Sequence, residues 1–259
     1  MCTLAIYFQI SREYPVVIAA NRDEFYRRPA SPPVPLAGDP WIVAGHDLTA
    51  GGTWFGVNGA EVAAGILNRR SPQPPDPARR SRGQLCLEVL GAASVSTAAA
   101  RLQRDDPQRY NPFNLLLASP QSAHVAGNFS GTMRVTGLSP GLHLLTNLEL
   151  NDFECPRIAK SYALFEEARR WLSGATLDAF IAQLRRILSD HSTPLDPRDP
   201  RPPNNLCVHT PQFGTRSSTI LIYTAAHRHY RMWHADGPPC VTPYAEVVLP
   251  QSKNNAGHG

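Results

Sequence analysis

Several short strands in this sequence are apolar at every position, and that constrains the fold more than any other feature. Leu4-Ala5-Ile6-Tyr7-Phe8 and Ile220-Leu221-Ile222 show no alternation between apolar and polar residues. A strand with one wet face alternates; a strand without alternation is covered on both faces. The sheets of such a chain need a layer on each side. Two stacked sheets, each with helices outside it, satisfy that requirement.

The order of elements fits this arrangement. Residues 2–10 and 15–21 read as strands joined by a turn at Ser11-Arg12-Glu13-Tyr14. Residues 26–40 are Pro-rich and read as irregular, followed by a short strand at Trp41–Ala44. Asn58-Gly59 marks a hairpin turn between strands near 53–57 and 61–67. The Pro-rich stretch 71–80 is a loop. Helical periodicity follows over 82–92 and 94–104, then strands at 113–118, 122–127, 132–136 and 142–146. Two amphipathic helices are expected at 156–172 and 176–190, a Pro-rich stretch at 192–205, and strands at 217–224, 228–234 and 244–249. Blocks of strands separated by helix pairs predict an α+β fold, a four-layer αββα sandwich of two mainly antiparallel sheets. No internal boundary or repeat is visible. Residues 1–250 therefore read as one domain and 251–259 as a disordered polar tail.

Composition excludes several classes. A net charge of +4 with no long basic run does not indicate a nucleic-acid partner. No stretch reaches the ~20 apolar residues of a membrane span, and the N-terminus lacks the basic start of a signal peptide, so a cytoplasmic protein is expected. The cysteines at 2, 86, 155, 207 and 240 are widely spaced without a CxxC, which predicts neither a metal site nor a disulfide framework. Cys86 falls in an apolar helical pattern and reads as core. The His227-x-His229 pair with His234 lacks further ligand types nearby, and the glycines at 51, 52, 56 and 59 do not fit a phosphate loop. No cofactor is expected.

Cys2 is the residue with distinctive chemistry. Removal of Met1 would leave a thiol and a free α-amine on one residue. An α-amine has a pKa of about 7.7–8.0 and can take the thiol's proton without a separate histidine. The segment Asn21-Arg22-Asp23-Glu24 ends the next strand. If residues 2–10 and 15–23 pair as a hairpin, Cys2 faces Arg22 with a Ser11–Glu13 loop, or Asp23 with a Ser11–Tyr14 loop. Because both faces are apolar, alternation does not choose between them. An arginine would favour thiolate, and a carboxylate would hold the α-ammonium.

Cys2, the run Asn21–Pro29 and Gly51-Gly52-Thr53-Trp54-Phe55-Gly56 together resemble the NRDE family, which includes the Transport and Golgi organisation 2 proteins. Further matches lie at Ile66–Asn68, Arg82–Leu85, Asn111–Leu115, Leu145–Asn147 and Gly214–Ile220, so the resemblance covers nearly the whole chain. That family is similar to the penicillin V acylase and bile salt hydrolase group of N-terminal-nucleophile (Ntn) hydrolases, which are αββα sandwiches. The resemblance implies Cys2 as nucleophile, Arg22 and Asp23 as its partners, Asn68 and Asn147 as oxyanion and orienting groups, and Arg216 as a later arginine. The acylases have two residues between their Arg and Asp, whereas Arg22 and Asp23 are adjacent, which leaves Glu24 as an alternative carboxylate. Trp54 and Phe55 are candidates for substrate binding, with core packing as the plain alternative. The implied activity is hydrolysis of a small-molecule amide through a thioester. The other function it implies is a non-enzymatic protein handling haem or lipid.

Overall fold

The computed structural model describes residues 2–192 and 205–250. The Pro-rich stretch expected at 192–205 falls almost wholly outside the described residues, as does the tail 251–259. Contacts divide the chain into two compact units. One comprises residues up to Arg28, Leu67–Arg69 and Ser139–Glu246; the other comprises Pro29–Ile66, Arg70–Leu138 and the residues from Val247.

In the first unit, β1 (Thr3–Phe8), β2 (Val16–Phe25), β10 (Gly141–Leu145), β11 (Phe213–Thr224), β12 (His229–Ala235) and β13 (Ala245–Val247) form a six-stranded antiparallel sheet in the order β10-β1-β2-β11-β12-β13. On one face it carries α3 (Pro156–Ala168), α4 (Trp171–Gly174) and α5 (Leu177–Leu188). Alpha-helix α5 starts where Thr176 accepts from the Ala179 N–H. Asp178 sits in its first turn and Arg185 and Arg186 in its last, matching the helix dipole. Its Phe180, Leu184, Ile187 and Leu188 pack with Ala5, Val17, Ile220 and Ile222 from the sheet. The alternate positions Leu4, Ile6, Phe8, Val16, Ile18 and Leu221 are equally buried, as the absence of alternation requires.

In the second unit, β3 (Ala30–Leu36), β4 (Ile42–Asp47), β5 (Phe55–Asn58), β6 (Ala63–Asn68), β7 (Phe113–Ala118), β8 (Ala123–Gly127) and β9 (Arg134–Gly137) form a seven-stranded antiparallel sheet in chain order. Helices α1 (Arg82–Leu90) and α2 (Val95–Gln103) pack Leu85, Val89, Ala98 and Leu102 on Ala64, Leu115 and Leu117. Asn58 closes the β5–β6 hairpin. Its Oδ1 accepts from the N–H groups of Ala60 and Val62, and its Nδ2 donates to the carbonyls of Leu90 and Ala92 beyond α1.

Two expectations need correction. Residues 30–36 are a strand, not irregular chain. Their prolines lack N–H groups, but β3 is the outer strand of its sheet, where an unpaired edge tolerates this, and its register to β4 shifts between Ser31 and Val34. Strand β2 also runs past 21 to Phe25, because β11 begins at Phe213 and pairs with it there. The Asn21–Glu24 segment thus lies inside a central strand. No helix among the described residues is long and apolar enough to cross a membrane.

Candidate active site

The site follows from three strand registers. The β1–β2 ladder pairs Thr3 with Asn21, so the next residue, Cys2, faces Arg22; this is the register of the shorter loop. The β1–β10 ladder pairs Leu4 with Leu145 and ends there, with Asn147 two residues further on in a bend. The β2–β11 ladder pairs Arg22 with Ser217 and Asp23 with Thr215. Arg216 is the extra residue of a β-bulge between them, a device that re-aims a side chain out of the ladder. Cys2, just ahead of β1, Arg22 and Ser217 therefore lie in one row, with Arg216 bulged beside it; Asn147 follows the end of β10.

Cys2 is half-buried. Its thiol donates to the carbonyl of Asp23 at 3.5 Å and its sulfur accepts from the Asp23 N–H at 3.3 Å. Burial pushes the thiol above its ordinary pKa, and the Asp23 carboxylate adds to this; the chain's α-ammonium and Arg22 oppose it. The resting sulfur is thus a thiol that needs a base.

The neighbouring carboxylates play different parts. Asn21 donates through Nδ2 to the carbonyls of Leu188 and Leu206, both at 2.8 Å, so its face of β2 is the one toward α5. Asp23 shares that face by alternation and is only 5% exposed; its Oδ1 accepts from the Thr215 hydroxyl at 2.7 Å. Arg22 and Glu24 share the opposite face, with Arg22 Nη2 4.0 Å from Glu24 Oε2 and Arg28 Nη1 3.7 Å from the same oxygen.

Three buried polar atoms in or beside the row lack a hydrogen-bond partner: Asn147 Oδ1, Arg216 Nε and Ser217 Oγ. Buried polar atoms are nearly always satisfied, so each of these is open to a polar ligand or to water. Asn68 is exposed at the last position of β6. The adjacent Arg69 forms a two-pronged ion pair with Glu149, which ties the end of β6 to the loop carrying Asn147.

Trp54 and Phe55 belong to the second unit. Phe55 is buried in β5, and the Trp54 ring lies where a Cβ on Gly45 would stand. The glycines before them interlock with another matched segment. Gly52 has φ +81°, and a Cβ there would fall 2.2 Å from the Gly83 carbonyl carbon, while the Thr53 N–H donates to the Gly83 oxygen at 3.0 Å.

The structure adds residues that the pattern did not single out. Thr215 positions Asp23. Arg157, 1% exposed at the start of α3, donates to the Thr3 hydroxyl at 3.0 Å. His191, Cys207, His209 and Cys240 converge with ligand atoms all within 4.8 Å of one another. Within that cluster only Cys207 and His209 are close in sequence, a Cys-x-His spacing that the sequence reading did not single out. His227 and His229, considered from sequence, lie with ring centroids 5.7 Å apart and outside it.

Comparisons with known proteins agree with this architecture. The penicillin V acylase from Agrobacterium tumefaciens superposes with a TM-score of 0.55 at 14% identity, over 93% of each chain. The C2A mutant of the conjugated bile acid hydrolase from Clostridium perfringens gives 0.56 at 10% identity, over 97% of this chain and 98% of that one. A Caenorhabditis elegans ortholog of N-acylethanolamine-hydrolyzing acid amidase gives 0.55 at 14% identity, over 85% and 92%. These likenesses show the fold, an α+β chain of two antiparallel sheets whose solved neighbours are Ntn-hydrolase sandwiches. The Bos taurus Transport and Golgi organization protein 2 homolog is 31% identical over 240 residues, 82% of this chain and 83% of its own. The Homo sapiens homolog is 29% identical over 236 residues, with the same coverage. The profile of the Transport and Golgi organisation 2 family matches residues 1–233, and the chain belongs to that family.

Proposed function

We propose that this protein is an N-terminal-cysteine hydrolase that cleaves a small-molecule amide through a thioester, once Met1 has been removed. The observation that supports this most is the row of Cys2, Arg22 and Ser217 with Arg216 bulged beside it, where Arg216 Nε is buried and unpartnered. Loss of Met1 moves the α-amine onto Cys2, next to a thiol that burial keeps protonated. The amine takes the thiol proton and the sulfur attacks the amide carbonyl. The C–S bond forms and the carbonyl electrons move to oxygen. The Arg216 guanidinium suits that oxyanion, one such donor being worth about 3–4 kcal/mol, and the open Asn147 Oδ1 suits an N–H of the substrate amide. The ammonium returns its proton to the leaving nitrogen as the C–N bond breaks. Water, deprotonated by the same amine, then cleaves the thioester and restores the thiol. Asp23, held by Thr215, balances the ammonium; Glu24 keeps Arg22 in place.

Intact mass tests the first requirement, a chain shorter by its initial methionine. Labelling with an acyl electrophile tests the second, with wild type reacting at Cys2 and Cys2→Ala failing to react. Equal labelling of both proteins would refute the nucleophile and leave the row as a binding surface.

A further inference from the structure

The four-residue cluster behind the sheet has the composition and dimensions of a metal site. His191 follows α5, Cys207 and His209 precede β11, and Cys240 lies in the loop between β12 and β13. Cys207 Sγ is 3.6 Å from Cys240 Sγ and 3.6 Å from His209 Nε2, and His209 Nε2 is 3.2 Å from Cys240 Sγ. A zinc ion with bonds of about 2.3 Å to sulfur and about 2.0–2.1 Å to nitrogen sets tetrahedral edges of about 3.8 Å between sulfurs and about 3.6 Å between sulfur and nitrogen. These three edges match to within about 0.4 Å, and the ligand atom of His191 lies within 4.8 Å of the other three. They do not suit a disulfide, whose sulfurs sit about 2.05 Å apart.

A second feature points the same way. His191 Nδ1 lies 2.9 Å from the carbonyl oxygen of Cys207, a group with no proton to give, so Nδ1–H donates and Nε2 carries the lone pair. Ligating imidazoles are commonly fixed by such a bond from the second ring nitrogen. The two histidine rings stand 5.2 Å apart at 39°, side by side at the exposed rim, with Cys207 buried beneath them.

We propose that His191, Cys207, His209 and Cys240 bind one zinc ion as a closed, structural site. Four protein ligands leave no open position for a substrate, which separates this site from catalysis. Its role is to clip three segments that meet only in the folded chain. The clip reaches the candidate active site through the backbone. Val208, between two ligands, donates its N–H to Thr215 Oγ1 and accepts from the Thr215 N–H, both at 2.9 Å, and that same hydroxyl donates to Asp23. Leu206, next to Cys207, accepts from Asn21.

The full-length protein, purified under reducing conditions without a metal-binding tag, is assayed for metal by mass spectrometry. It is then stripped with chelator and titrated with Co2+. About one zinc per chain is expected, and Co2+ should give visible d–d bands of tetrahedral intensity with a thiolate charge-transfer band in the near ultraviolet. Cys207→Ser and Cys240→Ser should each weaken that band, the double variant should lose it, and His227→Ala should keep it. If the serine variants do not fold, the wild-type titration decides alone. A folded wild type without metal and without a charge-transfer band would overturn the proposal, and so would a Cys207–Cys240 disulfide in the non-reduced digest.

Discussion

Asn21 looks like a member of the reactive row but is placed as a structural residue, and this distinction can be measured. The side chain is 3% exposed and spends both amide protons on the carbonyls of Leu188, at the end of α5, and Leu206. Asn21→Ala removes two bonds of net value about 1 kcal/mol each and leaves two buried acceptors, at about 1–3 kcal/mol more if they stay dry. Against this, Asn21 Oδ1 is itself buried without a partner, and truncation relieves about 1–2 kcal/mol of that cost. The balance is a loss of about 2–3 kcal/mol, or about 4–12 °C in Tm at about 2–4 °C per kcal/mol for a chain of this size.

Asn21→Asp should be worse than Ala at neutral pH, because it aims a carboxylate at two carbonyl oxygens. Burial would raise that acid's pKa, so its extra penalty belongs to the charged form and fades as the pH falls and one O–H donor returns. Thermal and urea unfolding measure both variants, alongside the rate of Cys2 alkylation. A stability loss below about 0.5 kcal/mol would refute the bookkeeping. Unchanged stability with loss of Cys2 reactivity would place Asn21 in the chemistry instead.

Two further outcomes follow from the charges. The Asp23 carboxylate raises the Cys2 thiol and Arg22 lowers it, so Asp23→Asn should shift the pH profile of iodoacetamide alkylation to lower pH and Arg22→Gln to higher pH; shifts of the same sign would contradict the assignment. His234 is 6% exposed and burial holds it down to about 4, below its ordinary 6.5, so the folded state resists protonation. Stability at neutral pH should fall as the pH drops from 6.5 towards 4, by at most about 3 kcal/mol, and His234→Gln should flatten that slope in urea titrations.

The fold class was legible because it depends on local signals. Apolar runs named the two-sided strands, and Asn58-Gly59 named its hairpin. What escaped was decided by pairing at a distance. Pro32, Pro33 and Pro35 argue against a strand until β3 is known to be an edge. Arg22–Phe25 reads as a charged strand end until Phe213–Ser217 arrives to pair with it. Cys2 could be narrowed to Arg22 or Asp23 but no further, because burial of both faces removes the penalty that normally fixes a register. The four possible metal ligands come from three separate segments, so only their Cys207-x-His209 portion left a trace in the spacing.

The bulge at Arg216 explains how neighbouring positions of one ladder can hold both a paired carboxylate and an unpaired guanidinium. In an unbroken β2–β11 ladder continued from Ser217↔Arg22, Arg216 would face Asp23 and Thr215 would face Glu24. Arg216 and Asp23 would then pair with each other, and neither would be available to a substrate or an ammonium. One extra residue restores Thr215 to Asp23, where the hydroxyl bond is 2.7 Å, and leaves Arg216 Nε without a partner. Deleting Arg216 should therefore keep both facing pairs, Thr215 with Asp23 and Ser217 with Arg22, and let the ladder close without a bulge. The deletion is expected to unfold within a few degrees of wild type while Cys2 acylation falls about 100-fold, the scale of losing one oxyanion donor. Arg216→Ala should match it in acylation. If the deletion unfolds the chain while Arg216→Ala acylates at the wild-type rate, the bulge exists for packing and the later arginine has no part in the chemistry.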